Sequence, residues 1–335
     1  MWRRSKQLLA SVSGSEACRA RTRNVVVIGG TGGVGRYVIQ HASRSGHNIR
    51  TLVRSRKKFD DVMQQIGMSA EETNKIAVVE GSALSSGDVE RAVKERFSES
   101  DSKSTNSTTD YVISSLGNVR GEKSFIVEHG TQCVLDAVNK LNAERLEEGH
   151  ATSPCRMSIM TSIGCGDSSK QIYKLSWFFS YVIKPFFLKG VFGDLEKAEG
   201  KVFEANAKSD SGIGTYAAIC RPGGLDNSPG TGRFRLIDGT ELEGITSGLI
   251  PRADVAAGMV SLIENRDWDG KAVSIVLPED LALQKMEEKS AGKQFFEKWS
   301  KNWTRLVSAK MTGSEQRNPT KSDDDNQEKK NDSRP

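Results

Sequence analysis

Val25-Val26-Val27-Ile28 runs directly into Gly29-Gly30-Thr31-Gly32-Gly33-Val34-Gly35. A short all-apolar run rich in β-branched residues suits a central parallel strand buried on both faces. The glycines at 29, 32 and 35 form G-x-x-G-x-x-G ahead of a helical segment over 34–45, which stops before Gly46, a C-cap residue. In that setting each glycine has its own task. Gly29 turns the chain sharply off the strand, Gly32 lets the backbone approach a pyrophosphate, and Gly35 allows the helix to pack closely on the strand. The free N–H groups and the dipole at the helix N-terminus then stabilise phosphate charge. A purely structural turn would carry the same glycines. Their place between a first strand and a first helix is what points to a dinucleotide. The expected contacts are Gly29, Thr31, Gly32, Gly33, Val34 and Gly35.

Outward from this unit, strand signals at 48–53, 76–80, 111–115, 157–162, 215–220 and 272–276 alternate with helical ones. The helices fall at 88–97, 125–141, 195–207 and 255–263. Such alternation predicts an α/β fold, a Rossmann-type doubly wound parallel sheet, as a single domain over 23–278. Residues 98–109 are nearly all polar and read as an insertion in a loop, and 206–211 looks like a second one. Residues 279–311 form an amphipathic helical extension, with Phe295, Phe296, Trp299, Trp303, Leu306 and Val307 on one face and lysines around it. The tail, 312–335, holds nothing fit for a core and is expected to be disordered.

The end of the second strand selects the dinucleotide. An NAD site places Asp or Glu there to accept from the ribose hydroxyls. Here Ile49-Arg50-Thr51-Leu52-Val53 leads into Arg54-Ser55-Arg56-Lys57-Lys58. Arg54 offers a planar donor fork to a 2′-phosphate, and Lys58 adds a point charge one turn later. A solvated basic helix start is the plain alternative, but cations at a helix N-terminus are unfavourable without an anion. The expected cofactor is NADP(H).

Composition narrows the rest. The chain has 335 residues, 36% hydrophobic and 27% charged, and no apolar run long enough to span a bilayer. Arg3, Arg4, Lys6, Arg19, Arg21 and Arg23 against Glu16 alone account for the net charge of +5, so the body is neutral. A neutral body lacks the broad basic footprint of a nucleic-acid binder. The leader, 1–22, is Arg- and Ser-rich with Trp2, Leu8, Leu9 and Val12, which suits a transit peptide for a mitochondrion or plastid; a disordered leader on a cytoplasmic protein has the same composition. Five scattered cysteines without a C-x-x-C pair argue for a reducing compartment and against zinc, and four histidines lie away from ligand spacing. No metal site is expected.

Several further stretches carry a resemblance. Val112-Ile113-Ser114-Ser115-Leu116-Gly117, Ile159-Met160-Thr161-Ser162-Ile163-Gly164-Cys165-Gly166, Cys220-Arg221-Pro222-Gly223-Gly224-Leu225 with Gly230-Thr231-Gly232, and Arg252-Ala253-Asp254-Val255-Ala256 join the glycine loop. Together they resemble the atypical short-chain dehydrogenase/reductases of the NmrA-like and biliverdin reductase B (flavin reductase)-like group. The resemblance spans 23–276. It implies that Ser82, Leu116 and Gly117 lie along the dinucleotide and that Pro222 and Gly223 border the nicotinamide. It also implies that Ser162, with Thr161 beside it, faces the acceptor as the catalytic hydroxyl; a hydroxyl that caps a strand end is the structural alternative.

The departures from that group set the chemistry. No Tyr-x-x-x-Lys pair follows the fifth strand: Tyr181 and Lys184 are three apart, and Pro185 ends their segment. The usual acid after the third strand is replaced by Ser82, and the group's Lys or His before the sixth strand falls near Glu196 or Lys197. The resemblance then implies a reductase that passes hydride to a small aromatic, flavin- or quinone-like acceptor by proximity and orientation. A second class stays open: a non-catalytic NADP(H)-binding redox sensor or assembly protein, whose extension at Phe295–Val307 docks on a membrane surface or a partner.

Overall fold

A computed structural model describes residues 21–97, 108–117, 125–149, 154–168, 189–208, 216–239, 249–282 and 284. The first half repeats one unit. β1 (Asn24–Ile28) leads to α1 (Gly35–Arg44), β2 (Asn48–Val53) to α2 (Arg56–Gln65) and a short α3 (Ala70–Asn74), and β3 (Ala77–Glu80) to α4 (Ser86–Lys94). β4 (Tyr111–Ser114) and α5 (Ile126–Glu147) follow, then β5 (Arg156–Met160), α6 (Lys189–Lys208) and β6 (Ala217–Pro222). Two-residue strands β7 (Leu225–Asp226) and β9 (Ile250–Pro251) pair with each other, while β8 (Arg235–Asp238), α7 (Arg252–Ser261) and β10 (Ala272–Val276) complete the domain.

The eight-stranded sheet has the order β3-β2-β1-β4-β5-β6-β10-β8. β1 is its centre, with Val25 beside Ile49 on one flank and Tyr111 on the other, and all five of its residues are buried. Its side chains alternate between two cores. Val25 and Val27 join Val38, Ile39, Phe59, Val255 and Met259 under α1, α2 and α7. Val26 and Ile28 join Val89, Val134, Val138, Leu195 and Val202 under α4, α5 and α6. Helices on both faces make the sheet doubly wound, as expected. The chain winds one way through β2 and β3, then returns to β4 on the other side of β1. Above the ends of β1 and β4 lies the crevice where such sheets bind ligands.

Four details differ from the sequence reading. β8 runs antiparallel to β10 at the sheet edge, so the sheet is mostly rather than wholly parallel. β6 begins and ends two residues later than expected, which carries Arg221 and Pro222 into the strand; Pro222, with no N–H to donate, is its last residue. Residues 206–208 are the end of α6 rather than an insertion, because Asn206 exchanges two hydrogen bonds with the backbone of Ala217 at the start of β6. Leu281 and Ala282 pack on the core, past the expected boundary at 278. The leader to residue 20, Tyr181, Lys184 and the unit from 286 to 335, with Phe295–Val307, lie outside the described residues. Among the described residues no helix is long and apolar enough to cross a membrane.

Candidate functional site

The glycine loop is built by close approach. Gly29 has φ +86°, and a Cβ on it would sit 3.0 Å from the Ser115 carbonyl oxygen at the end of β4. The Gly32 amide donates to the Gly29 carbonyl at 2.9 Å, and a Cβ on Gly32 would meet that same oxygen at 3.0 Å. A Cβ on Gly35 would overlap the Gly29 carbonyl and reach Ser115 Oγ at 2.5 Å, so α1 sits on the β1–β4 seam only because Gly35 has no side chain. Gly30, which the spacing did not single out, is packed under Thr51 and Ile39. Thr31 is half-buried, Gly33 is exposed, and the Val34 side chain enters the core, which leaves Val34 only its amide to offer. α1 has no side-chain cap and no acid in its first turn. The Arg36 and Tyr37 amides bond back to the Gly32 and Val34 carbonyls at 3.2 and 2.9 Å, so among the described residues the amides left without an acceptor or a carboxylate over them are those of Gly33, Val34 and Gly35.

At the end of β2, Arg54 is exposed. Ser55 caps α2 by accepting from the Lys58 amide at 3.3 Å, and Lys57 and Lys58 extend their side chains to solvent. Arg56 is tied to Asp60 at 2.9 Å, and its amide donates to Glu80 Oε1 at 2.6 Å. Glu80 is thus a carboxylate near this strand end that linear inspection missed, delivered by the pairing of Val53 with Glu80 in β3. Ser82 has an acid beside it too. Its amide donates to Asp88 Oδ2 at 3.0 Å, and that bond holds the Asp88 carboxyl below its ordinary range. Leu116 packs against Gly130 of α5, and Gly117 is exposed.

Beyond β5 and β6 the polar groups close on each other. Thr161 is buried and donates to Glu199 Oε1 at 2.7 Å. Glu199, from α6, takes two further bonds from Arg221, Nε at 2.9 Å and Nη2 at 2.7 Å, with both side chains 2% exposed. Gly166, at φ +50°, covers the pair so closely that a Cβ would meet Glu199 Oε2 at 2.9 Å. Ser162 is half-buried, and among the described residues its hydroxyl donates to the neighbouring Ile163 carbonyl alone, at 3.1 Å. The Pro222 carbonyl accepts from the Ile163 amide at 2.9 Å, which fixes the Ser162 loop against β6; Gly223 is half-buried next to it. Asp254 accepts from the amides of Thr231 and Gly232 and from the Thr231 hydroxyl, holding that loop to α7. Near α6, Lys197 is exposed, 4.6 Å over the Phe125 ring and 3.5 Å from Glu128. Cys220 is buried, and desolvation pushes its thiol up to about 12, so it is no nucleophile. Among the described residues no three His, Cys, Asp or Glu side chains gather to hold a metal ion.

An uncapped helix end behind a glycine turn, at the crevice of a doubly wound sheet, fits a dinucleotide. A family described as NAD(P)H-binding matches residues 29–266. The chain belongs to that NAD(P)H-binding family. Its cofactor is accordingly a nicotinamide dinucleotide, and its resemblance to the atypical short-chain dehydrogenase/reductases stands. Solved structures share the fold. ChuY, an anaerobillin reductase from Escherichia coli O157:H7, is 22% identical with a TM-score of 0.51 over 76% of this chain and 98% of its own. The oxidoreductase ylbE from Lactococcus lactis is 16% identical with a TM-score of 0.52 over 79% of this chain and 97% of its own. No curated protein matches the chain.

Proposed function

We propose that this NAD(P)H-binding protein is an NADPH-dependent reductase that passes hydride to a small, flat acceptor of the flavin or quinone type. One observation carries the reading. The dinucleotide end of the crevice leaves its positive groups open, the α1 amides and Arg54, while the acceptor end has bound its polar groups to one another. The amides of Gly33, Val34 and Gly35, set by the turn through Gly29, Thr31 and Gly32, would hold the pyrophosphate. Arg54, with Lys58, would meet the 2′-phosphate. Ser82, Leu116 and Gly117 would line the dinucleotide, with Pro222 and Gly223 at the nicotinamide.

When bound, the cofactor supplies the hydride. The protein's part is to orient and to exclude. Thr161 has committed its proton to Glu199, which removes it from the acceptor and makes it a support for the Arg221–Glu199 pair. Ser162, half-buried and donating to the adjacent Ile163 carbonyl at 3.1 Å, would have to turn from that bond to orient the acceptor, which costs less than taking Thr161 from a buried carboxylate. A serine is a weak acid, so the acceptor suited to this edge takes hydride without a concerted proton from the protein. Flavins and quinones do; unactivated ketones do not. The fold neighbour described as an anaerobillin reductase adds acceptors of that class to those worth testing.

The commitment of Thr161 also favours a second reading, a non-catalytic NADP(H)-binding sensor or assembly protein. Purified protein with NADPH and a panel of flavins, quinones, acceptors of the anaerobillin class and aldehydes separates the two, followed by loss of the nicotinamide absorbance. Turnover confined to flat conjugated acceptors, reduced at least ~10-fold in Ser162→Ala, supports the reductase. Tight NADPH binding without turnover of any acceptor would leave the sensor. Fusing residues 1–22 to a reporter tests the proposed mitochondrial or plastid destination.

A further inference from the structure

We infer that Arg252 is a phosphate-contacting residue of the cofactor site, a cation laid across the glycine loop from the start of the helix that packs beside α1. The inference rests on the reading above, in which the N-terminus of α1 receives the pyrophosphate. Arg252 opens α7, which packs along α1. Its side chain runs over Gly33: a Cβ built there would lie 2.8 Å from Arg252 Nε and 3.0 Å from Cδ. Gly33 is thus glycine to make room for this arginine. The guanidinium is anchored by a neutral group, with Nη1 donating to Asn227 Oδ1 at 2.5 Å.

Nothing among the described residues neutralises it: no carboxylate lies within ion-pair distance, and Asp254, two residues on, spends its oxygens on Thr231 and Gly232. A fixed cation beside the positive end of an uncapped helix is electrostatically unfavourable until an anion arrives between them. Two groups of one sign, held on either side of an exposed glycine, define where that anion goes. The assignment also separates two arginines. Arg54 would read the 2′-phosphate that only NADPH carries, whereas Arg252 would hold the pyrophosphate that both dinucleotides share.

The test is titration of NADPH and NADH into wild type, Arg252→Gln, Arg252→Lys and Asn227→Ala, at low and high salt. Arg252→Gln should weaken both dinucleotides alike, by roughly 10- to 100-fold, and flatten the salt dependence. Arg252→Lys should recover part of the loss, and Asn227→Ala should cost both ligands a few-fold. Should Arg252→Gln fail to fold, the lysine and alanine variants carry the same comparison. Wild-type affinity for both dinucleotides in the folded Arg252 variants, or a loss limited to NADPH, overturns the inference. Binding of neither dinucleotide by wild type would instead overturn the site reading, and the arginine's role with it.

Discussion

Two helices start at the same edge of the sheet and end their first turns in opposite ways. α5, after β4, has its Val127 and Glu128 amides closed by the carboxylate of Asp194, which is fully buried on α6 and accepts at 3.0 and 2.8 Å. α1, after β1, has no cap, no acid in its first turn, and an arginine over Gly33. α2 and α4, after the other two strands, are capped by Ser55 and Ser85. A helix N-terminus carries about half a positive charge; those of α2, α4 and α5 are met by a side-chain oxygen, and α7, without a side-chain cap, has Asp254 in its first turn. Leaving α1 open is therefore informative, since an open end costs stability that a bound phosphate returns. On the proposed reading one terminus serves the protein and the other its ligand.

The largest effect should come from making α1 resemble α5. Gly33→Asp sets a carboxylate over the open amides and beside Arg252, at a position with no left-handed backbone to forbid it. NADPH affinity should fall at least ~100-fold, or about 2.7 kcal/mol. The carboxylate gains roughly 0.3–1 kcal/mol from the dipole, but its Cβ would lie 2.8 Å from Arg252 Nε and must push that side chain aside, so the stability of the free protein should change by less than about 1 kcal/mol. Calorimetric titration and denaturant unfolding read the two effects, and a folded variant that still binds NADPH as tightly as wild type would break the comparison.

The converse change opens α5. Asp194→Ala strips the buried Val127 amide and the half-buried Glu128 amide of their acceptor and should lower stability by about 1–3 kcal/mol. NADPH affinity should stay within about 2-fold, because in the proposed site the pyrophosphate lies at α1. Unchanged unfolding would mean that the carboxylate is not the cap it looks to be.

A smaller effect concerns acid. Burial holds His41 and His47 below the ordinary 6.5, and His47 Nδ1 accepts from the Arg23 amide, which requires the unprotonated nitrogen. The unfolded chain takes up these protons as pH falls through about 6.5 while the folded chain resists. Stability should be complete above that pH and decline below it, by at most ~1.4 kcal/mol per pH unit for each histidine. Unfolding curves at pH 7, 6 and 5 test this; His47→Asn, which keeps an acceptor for Arg23, should flatten the decline.

What the sequence disclosed was local. β1, the glycine loop and α1 follow one another within twenty-one residues, so spacing alone exposes the turn, the close approach and the open helix end. The alternation of strands and helices then fixes a doubly wound sheet, because periodicity is a property of each segment by itself. Partners brought together by tertiary structure were not legible. Asp194 caps a helix that starts nearly seventy residues before it, Glu199 meets Arg221 across α6 and β6, and Glu80 arrives beside Arg56 through strand register. The last of these matters for the cofactor, since a strand end that reads as purely basic has a carboxylate next to it. β8 escaped because four residues of mixed polarity at an edge leave no clear period.

Glu80 sharpens the central question, whether this strand end selects NADPH. Its carboxylate is turned onto the Arg56 amide, and Arg56 is paired with Asp60, so Arg54 remains the exposed arginine of this strand end. Titrating NADPH and NADH into wild type and Arg54→Asp answers directly. Wild type should bind NADPH more tightly, and Arg54→Asp should lose about 2–4 kcal/mol of NADPH affinity while keeping NADH within a few-fold. Equal affinity of the wild-type protein for the two dinucleotides would contradict it.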